Sequence, residues 1–183
     1  MNLTDQFLIA MPSLADPNFH GTVTYMCAHS EEGAMGIVIN RPLDIPLGEM
    51  LNHLEIAVSN AAVARLPVLQ GGPVQRERGF VLHEPAGEWD SVLKVGERIG
   101  VATSRDILDA VARGEGPARV VVALGYAGWG AGQLEREVLD NAWLSVPADS
   151  SIIFDLPYED RWASATRMLG VDPARLVGGA GHA

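Results

Sequence analysis

Residues 125–135 read Gly125-Tyr126-Ala127-Gly128-Trp129-Gly130-Ala131-Gly132-Gln133-Leu134-Glu135. The stretch follows an uninterrupted apolar run at 119–124 and precedes a helix expected to reach about residue 139, so it predicts a glycine-bearing turn from strand to helix. Glycine has no Cβ, and such a turn admits positive φ and lets a ligand or another chain approach the amides. Unpaired amides at the helix start, with the positive end of the dipole, favour an anion there. The spacing G-x-x-G-x-G-x-G differs from the dinucleotide fingerprint and carries no Walker-type lysine, so no cofactor is assigned. The other reading is that the glycines admit Trp129 against the sheet. Gln133 and Glu135 fall in the first turns of the helix, where Glu135 complements the dipole.

Outward from this stretch, strands and helices alternate. Apolar or alternating runs place strands at 6–10, 22–29, 35–40, 68–70, 79–83, 98–102, 119–124, 143–146 and 152–154. The alternation at 22–29 sets Val23, Tyr25, Cys27 and His29 on one face, and the turn at 30–33 makes an antiparallel hairpin with 35–40. Helical spacing of Leu47, Met50, Leu51 and Leu54 after Pro46 predicts a helix at 47–54. A second is expected to start at an N-capping Ser104 and stop at Gly114. A third covers 158–168, and the glycine-rich end at 178–183 reads as a frayed tail. Nothing divides the chain, so 1–183 reads as one domain.

The chain has 183 residues, 48% of them hydrophobic and 20% charged, which is ample for one large core. Its net charge of −10 disfavours non-specific contact with phosphate backbones. The nearest thing to a basic patch is Arg76 and Arg78 with Arg41 or Arg105, scattered and interrupted by Glu77. No long apolar run or basic leader suggests a membrane segment or export signal, and one cysteine excludes an intrachain disulfide; a cytoplasmic protein is expected.

Candidate chemistry concentrates on few residues. Cys27 is read as a small buried hydrophobe, a redox-responsive thiol or a nucleophile paired with His29, although i, i+2 positions on a strand lie too far apart for a direct bond without a bend or bulge. Asn40-Arg41-Pro42 closes a strand, and Pro42 forces Arg41 into an extended conformation from which it can clamp an anion or pair with Asp44. Gly71-Gly72-Pro73 is either a plain turn or a second side-chain-free wall of the same cavity. The histidines show no metal-binding spacing, and only His29 with His83 and Glu31 or Glu32 offers a combination. No nucleophile elbow is present.

The runs Gly21-Thr22-Val23, Gly36-Ile37-Val38-Ile39-Asn40-Arg41-Pro42, Gly71-Gly72-Pro73-Val74, Gly79-Phe80-Val81-Leu82-His83 and Asn141-Ala142-Trp143-Leu144, together with the glycine stretch, resemble the YqgE/AlgH family over nearly the whole chain. The resemblance implies an α/β (α+β) fold in which a mixed, bifurcated β-sheet curls into a pseudo-barrel flanked by helices. The family name implies transcriptional regulation, although the sequence has no recognisable helix-turn-helix. The expectation is a regulatory domain binding a small anionic ligand or a protein partner, with DNA disfavoured by the chain's negative charge. Its expected site comprises Asn40, Arg41, Gly71, Gly72, Gly125, Tyr126, Gly128, Trp129, Gly130 and Gln133. The alternatives are an enzyme acting on a small anion with Cys27 or His29, and a redox-responsive protein using Cys27.

Overall fold

The computed structural model describes residues 1–14 and 16–175; the expected tail at 178–183 lies outside them. The elements in chain order are β1 (Gln6–Ala10), β2 (Val23–Ser30), β3 (Gly33–Val38), β4 (Pro42–Pro46), α1 (Leu47–His53), α2 (Ala61–Ala64), β5 (Pro67–Gln70) and β6 (Val74–Glu84). They continue with β7 (Val92–Val95), β8 (Ile99–Ala102), α3 (Arg105–Ala112), β9 (Arg119–Gly130), α4 (Gln133–Leu139), β10 (Trp143–Pro147), α5 (Ser150–Phe154) and α6 (Arg161–Met168).

The ten strands form one curled sheet in the order β10-β1-β2-β3-β9-β6-β8-β7, with β4 and β5 off this path. Every pairing is antiparallel except β5 with β9, so the sheet is mixed. It bifurcates at β9. Residues Val122–Leu124 pair with β5 along one edge. Farther along, Ala127, Gly128, Trp129 and Gly130 pair with β3 instead. The opposite edge of β9 carries β6 from Glu84 back to Gly79, and again at Val74. The expected turn at 125–130 is therefore corrected: β9 runs through Gly130, and only Ala131 and Gly132 lead into α4. Its residues pair with neighbouring strands, and the Gly130 amide donates to Gln133 of α4.

The glycines mark where the chain crosses itself. Between β5 and β6, Gly71-Gly72-Pro73 passes from one edge of β9 to the other over the backbone of Gly125, Tyr126 and Ala127. Gly71 remains in the parallel ladder, donating to the Leu124 carbonyl at 2.8 Å and accepting from the Val38 amide at 2.8 Å. A Cβ on Gly72 would lie 2.1 Å from the Tyr126 carbonyl carbon, and one on Gly71 would lie 2.3 Å from the Gly125 carbonyl oxygen. Gly125 itself has φ +79°, a left-handed conformation that other residues rarely adopt. Here the glycines face each other.

Strand β1 shows why these runs become strands. Phe7 and Ile9 enter one cluster with Tyr25, Ile37, Leu82 and Ile153. Leu8 and Ala10 enter another with Met26, Trp129, Leu134 and Trp143. A third cluster lies beneath α1 and α3, where Leu47, Leu51, Ile107 and Val111 meet Val68, Val81 and Val122 of the sheet. Burying apolar area on both faces of a strand at about 25 cal/mol per Å² is the main favourable contribution. In the β2–β3 hairpin, the register shifts between Met26 and Ala28, leaving Cys27 as the extra residue. After the bulge, Ala28 pairs with Met35 and His29 with Ala34, so His29 turns to the face opposite Cys27. The shared face expected for Cys27 and His29 is thereby corrected.

Two local readings are also corrected. Residues 152–154 are the end of α5, started by Asp149, whose carboxylate accepts from the Ser151 amide at 2.9 Å; a three-residue apolar run has no period to separate strand from helix. Ser104 occupies the N-cap position of α3 without capping it, and its hydroxyl instead donates to Asp106. Burial pushes the Asp106 carboxyl up, but the Ser104 hydroxyl and the amides of Asp90 and Ile107 outweigh it and hold the pKa below its ordinary value.

Arg161, 7% exposed, fastens α6 to the sheet by donating to the carbonyls of Ile39 and Leu156. Replacing it by Met should lower the unfolding free energy by about 3 kcal/mol, because two buried acceptors lose their donor. Gly72→Ala should cost about 4 kcal/mol or prevent folding, since backbone atoms cannot yield. Gly21→Ala, at a position open to solvent though at φ +70°, should cost about 1 kcal/mol. Urea denaturation of the three variants gives the comparison.

Candidate functional site

An open hollow of about 730 Å³ lies beside the turn of the β2–β3 hairpin and the end of β9. It gathers Tyr126, Gly128 and Trp129 of the expected site, together with His29. Met35, Val74, Arg78 and Phe80, which sequence reasoning missed as site residues, also line it, and so does the acidic residue Glu32. The lining is built on paired strands. Val74 opposes Tyr126 and Gly79 opposes Leu124, so β6 spends five residues where β9 spends two. Residues 75–78, four residues opposite the single Gly125, loop out into solvent, with Gln75 at φ +48°. That loop carries Arg78 over the Phe80 ring, 5.4 Å from its centroid. Phe80 in turn meets Tyr126 edge to face at 5.6 Å.

The polar atoms around the hollow are largely committed to the fold. The Leu3 amide donates to Nδ1 of His29 at 3.0 Å. An amide is a donor only, so the imidazole proton resides on Nε2, which donates to the Glu135 carboxylate at 3.2 Å. The Glu135 carboxyl is held below its ordinary pKa by its own backbone amide and then by His29. Trp129 donates from Nε1 to Glu137 at 3.1 Å, and Trp143 donates to the same carboxylate oxygen at 2.9 Å. Gln133 donates to the other oxygen of Glu137 and accepts from the Gly130 amide. These contacts tie α4 to β9, and Gln133 serves the fold there.

The remaining expected residues do not come together. Arg41 donates to the carbonyls of Pro17, Asn18 and His20 at 2.6–2.9 Å, which closes the 17–20 turn and leaves it apart from the hollow. Burial lowers its pKa without removing the charge. Asn40 accepts from the Val23 amide and donates to the Gly21 carbonyl. Gly71, Gly72 and Gly125 form the crossing. Gly130 pairs with Gly33 in the ladder and its amide donates to Gln133, so residues 125–130 are strand rather than the open turn expected there. His83 lies apart from His29, both ring nitrogens facing carbonyls of its own strand and turn.

Cys27 sits in the core at 2% exposure, and burial pushes its thiol pKa well up, away from the thiolate that nucleophilic and redox chemistry require. Its Sγ lies 3.6 Å from the Tyr25 carbonyl. The raised folded pKa keeps the thiol protonated where the unfolded chain ionises. The stability it contributes is thus full below about pH 8.5 and is lost as pH rises toward the folded value. Iodoacetamide should leave Cys27 unmodified in the native protein and alkylate it on unfolding, as read by mass spectrometry. Cys27→Ala should flatten part of the loss of stability between about pH 8 and 10.

The fold is thus an α+β half-barrel with short helices and an open hollow on preformed strands. The chain belongs to the AlgH-like family, whose profile matches residues 7–174. It is 60% identical over 182 residues to a UPF0301 protein of Thioalkalivibrio sulfidiphilus, covering 100% of this chain and 97% of that one. A UPF0301 protein of Nitrosococcus oceani is 55% identical, with 98% and 96% covered. The solution structure of the AlgH protein from Pseudomonas aeruginosa superposes with a TM-score of 0.83 at 50% identity, covering 100% of this chain and 97% of that one. A crystal structure of a protein from Corynebacterium diphtheriae shares the fold with a TM-score of 0.72 at 19% identity, covering 90% and 86%. Among the described residues, no helix is long and apolar enough to cross a membrane.

Proposed function

We propose that this chain is a protein-binding regulatory domain that receives a segment of its partner in the hollow beside β9. The observation that carries the reading is the hollow itself: about 730 Å³, wide-mouthed, and walled by Met35, Val74, Phe80 and Tyr126 on strands that need no rearrangement to present them. A preformed apolar wall reduces the ordering cost of association. Such a surface suits an apolar side chain with an acidic neighbour, the latter meeting Arg78.

Binding fits the committed atoms better than catalysis does. Cys27 and His29 lie on opposite faces of β2, and the imidazole already holds partners at both nitrogens. DNA contact is disfavoured by the charge of −10 and by α3, whose Ile107, Leu108 and Val111 are buried against the sheet. A regulatory role, which the family name implies, is then exercised through protein contact.

A photo-crosslinking amino acid at position 74, introduced in the source cell, tests this. One dominant protein adduct is expected, absent when the probe sits at exposed Leu139 and reduced at least about tenfold by Tyr126→Ala or Arg78→Glu. An adduct indifferent to both substitutions, or none above the position 139 control, overturns the reading.

A further inference from the structure

Arg78 also borders a second cavity, of about 370 Å³, whose other walls come from the α1 and α3 side of the sheet. Ile45, Met50, Leu54, Leu108 and Leu124 give it an apolar lining. Met50 and Leu108 are nearly buried, whereas Leu54 is 40% exposed at the mouth. Its charged and ionisable groups are His53, Arg78, Arg105 and a lone carboxylate, Glu77. Even with Asp109, which Arg105 reaches, counted against them, the two arginines offset the nearby carboxylates over an apolar floor in a chain of net charge −10.

Arg105 is loosely held. Its Nη2 reaches the Glu55 carbonyl at 3.4 Å and its Nε reaches Asp109 at 3.8 Å, with the side chain 58% exposed. Contacts this long leave guanidinium donors for something better placed. The contrast with Arg41 and Arg161, whose donors are spent on backbone carbonyls, separates a cation that builds the fold from one at the edge of a cavity. The volume falls at the small end of ligand pockets, which span about 300–1,000 Å³.

We propose that this cavity binds a small amphipathic carboxylate, its aliphatic chain lying on Leu54, Met50 and Leu108 and its head group taken by Arg105 and Arg78. Guanidinium forks match a carboxylate in two parallel hydrogen bonds. Each methylene laid on the floor tightens binding by about fourfold. The site stands apart from the hollow, with which it shares only Arg78.

Octanoate is the probe, titrated into the full-length protein at low salt by calorimetry and by amide chemical shifts. Binding should move the amides of Met50, Gly79 and Leu108, and hexanoate should bind on the order of tenfold more weakly. Octylammonium and octanol should bind at least about tenfold more weakly than octanoate. Arg105→Gln should weaken octanoate by about tenfold and leave octanol unchanged, whereas Leu54→Glu, which removes part of the apolar floor, should weaken both. Both positions are solvent-facing and neither lines the hollow, so the partner-crosslinking result is unaffected whichever way this test falls. Octanol matching octanoate, indifference to both substitutions, or no shift in the cavity amides up to millimolar octanoate overturns the proposal.

Discussion

A chain that must cross its own central strand needs a place where two backbones touch, and here that place is Gly71 and Gly72 over Gly125. The parallel β5–β9 ladder, the return of β6 to the far edge of β9, and the handover of the near edge from β5 to β3 all require the crossing. A methyl group at position 72 would lie about 2 Å from main-chain atoms, which can move only if the sheet moves. The barrel-like curl and both cavities are downstream of that contact. The hollow lies just past the crossing, and the second cavity lies where the 75–78 loop-out, forced by the uneven residue count of β6 and β9, leans toward α1 and α3.

Charge is distributed by a related logic. Several cations do backbone work that a peptide donor would otherwise do: Arg41 gathers three carbonyls of the 17–20 turn, and Arg161 joins the end of β3 to the start of α6. Burial disfavours both charges, but several short hydrogen bonds to carbonyl dipoles offset that penalty. Glu137 does the mirror task, accepting from two indoles and an amide. Arg105, held only by contacts of 3.4 and 3.8 Å, is the contrast, and it separates surface available for recognition from surface already used.

What the sequence made legible followed from local physics. The runs at 6–10 and 119–124 read as strands because nearly every residue is apolar, and the hairpin read correctly because its alternation and turn lie next to each other in the chain. Residues 125–130 misled because glycine is a turn signal only when its neighbours in space are solvent. Here those neighbours are Gly33, Gly71 and Gly72, far away in sequence, and the same residues become a strand. The position of His29 depended on one extra residue at Cys27, invisible to a period-two count. Arg41 read as an anion clamp or a partner of Asp44, whereas its partners are backbone carbonyls, which leave no mark in the sequence. Arg78 and Phe80 were hidden by a bulge whose size is set by pairing with β9, though an arginine two residues before a phenylalanine on one strand was the available hint.

Strand β9 belongs to both arms of the divided sheet: its first half supports the helices α1 and α3 through β5 and β6, and its second half supports α4 through β3. Neither arm possesses a complete hydrogen-bonded centre without it. Loss of that one strand would take hydrogen-bonded partners from both arms at once, so the slowest-exchanging amides are expected in β9. Cutting the chain within 119–130 would therefore leave two fragments that regain structure only in each other's company.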